Sequence, residues 1–146
     1  MLIRVIVCGE KNTGKSELIK YLTCNYSDNY FAPPEEYKIK TTSTDTIRYY
    51  EVHGFTNIET KFRNVDCLIF MYDTGDPSTL ENLDAIKKFK NHVLVIGVVI
   101  SGVKPIFEVL DKALKTCVER GYNHVTADTR KHSSLIVVDQ LLEDIF

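Results

Sequence analysis

A chain of 146 residues has the length of one domain and is long enough to bury a core. Its 44% hydrophobic and 26% charged residues and net charge of −2 are ordinary for a globular protein, and they lack the basic excess of a nucleic-acid or membrane-surface binder. Cys8, Cys24, Cys67 and Cys117 are widely spaced and three sit in apolar runs, which reads as buried thiols of a reducing cytoplasm rather than a disulfide or zinc framework.

The first apolar, β-branched run, Leu2 to Cys8, predicts a buried strand. It leads into Gly9-Glu10-Lys11-Asn12-Thr13-Gly14-Lys15-Ser16, which meets the phosphate-cradling pattern G-x-x-x-x-G-K-[ST] at every fixed position. Glu17 to Leu22 then puts Leu18, Ile19 and Leu22 on one helical face. Strand, glycine loop and helix therefore follow in the order that phosphate chemistry needs. Gly9 and Gly14 permit torsions and close approaches that turn successive N–H groups toward an anion, and the helix adds its positive end. Lys15 can reach terminal phosphates, and the Ser16 hydroxyl suits one position in a Mg²⁺ shell.

Thr23 to Lys38 is polar and aromatic and predicts a long loop. Its Tyr26, Tyr30, Phe31 and Tyr37 suit either a partner surface or packing over the sheet. Ile39–Thr44 and Ile47–Val52 predict an antiparallel hairpin around Asp45. Phe55 to Asn64 reads as loop and short helix, and Val65–Asp73 as a buried strand ending in an acid. Asp76-Pro77-Ser78 starts a helix with Leu80, Leu83, Ile86 and Phe89 inside. Val93–Ile100 is too short to span a membrane and too β-branched for an easy helix, so it predicts a central strand. Pro105 opens the most periodic helix, with Ile106, Val109, Leu110, Ala113, Leu114, Cys117 and Val118 on its apolar side and Arg120-Gly121 at its end. Val125–Ala127 is a short last strand, and Ser133 or Ser134 caps a final helix carrying Leu135, Val138, Leu141, Leu142 and Ile145. No apolar run is long enough for a bilayer, and Met1 leads straight into the first strand. The chain ends without a cysteine box, so no direct membrane anchor is expected.

In this order the segments resemble the Ras superfamily of small GTPases, and most of all its Rab branch. Ile3–Ser16 is similar to the first strand and phosphate loop, and Asp66–Asp73 resembles the apolar strand ending in a Tyr-Asp pair. Asp76–Leu83 is similar to the segment after it. His124-Val125-Thr126-Ala127-Asp128 falls where the family has its Ser-Ala-Lys base loop, making Thr126 and Ala127 the candidate base-loop residues. The resemblance implies a three-layer, doubly wound α/β domain over residues 1–146, a P-loop NTPase fold with a mostly parallel six-stranded sheet and one antiparallel strand. It also implies GTP or GDP with Mg²⁺ as cofactors when a nucleotide is held, protein partners at the switch surface and the loop Thr23–Lys38, and trafficking or signalling contexts.

Several positions depart from the family pattern. Its Asp-x-x-Gly step is here Glu51-Val52-His53-Gly54, so Glu51 and Gly54 are the candidate switch residues. The glutamine that orients water in hydrolytic members is Phe55, which can make no such contact. The switch threonine has no counterpart in Ala32-Pro33-Pro34-Glu35, and Thr41, Thr42 or Thr44 could serve only from a loop. The guanine-reading Asn-Lys-x-Asp is replaced by Val98-Val99-Ile100-Ser101, leaving Asp128 or Lys104 as the substitutes nearby. Lys11 either adds a cation to bound phosphate or neutralises Glu10.

These residues predict a small-GTPase-like protein with no assigned catalytic residue, acting through protein contacts, with weak or absent guanine-nucleotide binding and little hydrolysis. A working Ras/Rab-like switch with atypical motifs is the alternative. A P-loop kinase, with Asp73 as its Mg²⁺-side acid, comes from another class. His53, His92, His124 and His132 are scattered without ligand spacing, and Ser133-Ser134 has no triad partners.

Overall fold

The computed structural model describes residues 1–24, 37–100 and 102–146. Its strands are β1 (Leu2–Gly9), β2 (Tyr37–Thr41), β3 (Thr46–His53), β4 (Cys67–Asp73), β5 (His92–Val98) and β6 (Asn123–Ala127), and its α-helices are α1 (Lys15–Cys24), α2 (Phe107–Arg120) and α3 (His132–Ile145). They build one six-stranded sheet in the order β2-β3-β1-β4-β5-β6, in which β2 runs antiparallel to β3 and every other pairing is parallel. The chain leaves β1 toward β3 and returns on its other side to β4. The carboxyl end of β1 is thus a switch point, where open α/β sheets hold ligands.

Strand alternation sends side chains to two cores. Val5, Val7, Ile69 and Met71 face α1 and α3, whereas Ile6, Cys8, Phe70 and Tyr72 face α2 and the 3-10 segments. Three layers result, as the doubly wound expectation requires. A buried ion pair fastens β2 to α3: Lys40 Nζ lies 2.8 Å from Asp139 Oδ1.

The expected boundaries need four corrections. Thr23 belongs to α1, where its hydroxyl bonds Ile19 O at 2.8 Å, and Tyr37 and Lys38 already lie in β2; the rest of the expected loop, residues 25–36, falls outside the described residues. Thr42, Ser43 and Thr44 form the hairpin's turn and not its strand, because Thr42 Oγ1 takes the Asp45 N–H at 2.9 Å. The segment after Asp76 is a 3-10 helix, Pro77–Ile86. Leu80, Leu83 and Ile86 recur every three residues, and only a three-residue turn stacks them on one line.

The fourth correction concerns helix faces and caps. In α2 the contact with the sheet is made by Val109, Ala113 and Cys117, while Leu114 is 47% and Val118 81% exposed. Neither serine caps α3, since Lys131 occupies the cap position and makes no side-chain cap bond.

Candidate functional site

The phosphate-loop residues sit at the carboxyl end of β1 with α1 starting at Lys15. Gly9 (φ 150°) and Gly14 (φ 88°) both adopt torsions that side-chain residues rarely take. A Cβ on Gly9 would strike Met71 O, and one on Gly14 would strike the Thr129 hydroxyl. Asn12, at φ 63°, makes the third unusual turn, a role its side chain tolerates. Thr13 is buried and its hydroxyl donates to Glu10 O at 2.8 Å, closing the loop on itself.

Lys15 is 5% exposed and curls back over the loop, donating to Gly9 O at 2.7 Å and Glu10 O at 2.9 Å. Burial pulls its pKa below the ordinary lysine value, with the charges of Glu51 and Glu10 acting in the opposite sense. The Ser16 hydroxyl donates to Glu51 Oε1 at 2.7 Å, and the other Glu51 oxygen lies 3.3 Å from His53 Nε2. The longer acid at the Asp-x-x-Gly step therefore reaches the loop from β3. Hydroxyl and carboxylate oxygens converging here are hard donors, and one of each is a fitting set for Mg²⁺, which keeps its remaining positions for phosphate and water.

A cleft of about 350 Å³ gathers Gly9, Glu10, Lys11, Lys15, His53 and Gly54 against the start of the 3-10 helix at Asp76, Ser78 and Thr79. The candidate loop and the candidate switch residue Gly54 thus share one cleft. Glu10 is bonded by Asn82 Nδ2 rather than neutralised by Lys11, which is exposed and has no ion pair among the described residues. Phe55 turns away into the core, its ring 5.9 Å from that of Phe70.

The expected base loop is next to β5: Val99 N–H bonds Ala127 O at 2.9 Å, with Ala127 buried and Thr126 exposed. Val98 is buried and Ile100 packs on the core beneath, so the described part of this slot is aliphatic; Ser101 lies outside the described residues. Asp128 is engaged within its own turn, accepting Arg130 N–H at 3.0 Å. Lys104 is exposed.

Thr41, Thr42 and Thr44 are at the opposite end of the sheet. Leu2 pairs with Thr46 at the amino end of β1, about 25 Å from the phosphate loop at roughly 3.3 Å per residue. The Asp73 carboxylate accepts Gly75 N–H at 2.8 Å, a turn-making role.

Three features escaped the sequence: the Ser16–Glu51–His53 contact, Asn82 on Glu10, and Thr129 against Gly14. The first was partly visible in the Glu51–Gly54 spacing. The other two join residues far apart in the chain and leave no local signal.

No protein-family model matches the chain. It is 26% identical over 156 aligned positions to a curated protein of Drosophila melanogaster, the NF-kappa-B inhibitor-interacting Ras-like protein, an alignment covering 90% of this chain and 78% of the other. A Ras-like relative and a mostly parallel six-stranded sheet with one antiparallel strand fit a Ras-superfamily G domain.

Proposed function

We propose that this is a small-GTPase-like protein that works through protein contacts, holds nucleotide phosphates weakly, selects poorly for guanine and hydrolyses little. The observations that support the reading are the Gly9–Ser16 loop, with Gly9 and Gly14 at positive φ and Lys15 folded over it, and the aliphatic Val98 and Ile100 where the family reads guanine. Each charge-assisted hydrogen bond contributes roughly 1.5–3 kcal/mol, so a base held without two of them loses about two to four orders of magnitude in affinity.

Within the loop, Lys15 would exchange its two carbonyl acceptors for phosphate oxygens, and the loop N–H groups would bind the anion from below. Ser16 and Glu51 would hold Mg²⁺, which would offset phosphate charge. Phe55, packed on Phe70, leaves that position without a group to orient water.

A hydrolysing switch is the second reading, and it draws on His53, which lines the phosphate cleft beside Glu51. Calorimetric titration with GDP and ADP, each with Mg²⁺, tests the first. Both nucleotides should bind weakly and within about tenfold of each other, and Lys15→Ala should abolish both. Tight guanine-selective binding would overturn this. Phosphate release from GTP above the protein-free rate would favour the switch.

A further inference from the structure

On the face of the sheet away from α1 and α3, a groove of about 520 Å³ runs between β1, β3 and the segment after the 3-10 turn Ile58–Lys61. Its floor is Ile6, Tyr50 and Val52, and its rim carries Arg4, Lys61 and Arg63. None of these three cations has an ion pair among the described residues. The acids close by are otherwise engaged: Glu51 with Ser16 and His53, Asp66 with the Arg4 N–H, Glu59 with Lys88.

A second observation is independent of the groove's shape. Arg4 and Arg48 are register partners on neighbouring strands, a like-charge pairing that costs stability. Arg48 Nε is moreover buried with no hydrogen-bond partner among the described residues, and its guanidinium lies 4.7 Å from the centre of the Tyr37 ring. Tyr37 in turn packs on Tyr50 with ring centres 5.2 Å apart. The groove therefore continues as an aromatic and cationic strip to β2, the edge of the sheet. The Tyr37 ring supports Arg48 from one side, but neither guanidinium has an ion pair among the described residues, and an anion between them would relieve both.

We propose that this groove receives an acidic, extended segment of a protein partner, its carboxylates on Arg4, Arg48, Lys61 and Arg63 and one apolar side chain on Ile6 and Val52. The proposal rests on the reading of the chain as one that acts through protein contacts, and it names the chemistry of the partner. Charge complementarity selects an acidic occupant, and the apolar floor favours a peptide over a bare anion.

The test is fluorescence anisotropy of the full chain with a fluorescein-labelled peptide of about ten residues, rich in glutamate around a central leucine. Binding should weaken with added salt and fall at least about tenfold in K61E/R63E, while K112E/K115E on α2 stays within about twofold. All four positions are exposed, and circular dichroism would verify that each variant is folded. Equal binding of a lysine-for-glutamate peptide, an unchanged affinity in K61E/R63E, or an equal loss in K112E/K115E would overturn the proposal. So would binding of inositol hexaphosphate alone with none of the acidic peptide. The assay contains no nucleotide, so its failure is distinct from a failure of the nucleotide titration.

Discussion

Gly14 is confined twice, by a left-handed torsion and by the Thr129 side chain, which stands where a Cβ would go. Gly14→Ala should therefore destabilise the fold by about 1–3 kcal/mol in urea unfolding. Part of this cost is steric and part torsional. Thr129→Ala removes two of the three atoms that the new methyl would meet, so Gly14→Ala should cost less in that background. An equal cost in both backgrounds would mean that Thr129 is not the wall of the loop. The motif announces the glycine, but the wall is set by tertiary packing, and the sequence therefore reveals only half of why this residue stands here.

Among the elements, β4, β5 and β6 share one polar link across the sheet. The Tyr72 hydroxyl on β4 reaches His124 Nε2 on β6 at 2.6 Å, passing over Gly97 of β5, where a side chain would block it. Burial lowers the His124 pKa below 6.5. Between the folded value and 6.5 the unfolded chain holds the extra proton, so stability rises with pH in that window. The full stability stands above about pH 6.5 and is lost as the pH falls through 6.5 toward the folded value. The urea midpoint of the wild type should drop between about pH 7.5 and pH 5.5, and His124→Gln should drop less. His53, His92 and His132 are exposed and common to both proteins. Equal drops would place the acid sensitivity elsewhere.

Strands and their order were legible because β-branched runs alternate with helical periods, and Gly121 closes α2 as expected, its N–H reaching Cys117 O and Val118 O. The 3-10 form of Pro77–Ile86 was not read from the sequence, because the Asp76-Pro77-Ser78 start marks a helix of either kind. The exposure of Leu114 and Val118 was not legible. Periodicity reports which side of a helix is apolar, and not how much of that side the sheet covers. The Gly9–Ser16 turn between β1 and α1 was legible for a related reason: one contiguous segment builds its backbone. Its contacts with Glu51, Asn82 and Thr129 needed the fold.

For the whole molecule the decisive strand is β4, whose Cys67, Ile69 and Met71 enter one core and Leu68, Phe70 and Tyr72 the other, all fully buried. Neither core can loosen without the strand that serves both. Urea unfolding should accordingly give one transition, with far-ultraviolet circular dichroism and tyrosine fluorescence coinciding. Separate midpoints would divide the molecule into two units.

The Gly9–Ser16 loop also has a bearing on biosynthesis. Its eight residues precede in the chain the Met71 carbonyl behind Gly9 and the Thr129 side chain beside Gly14, and so are translated before both. A nascent chain that has grown only to the end of β5 already carries the loop but lacks one of its flanks. The wall beside Gly14 thus closes only after Thr129 has been translated.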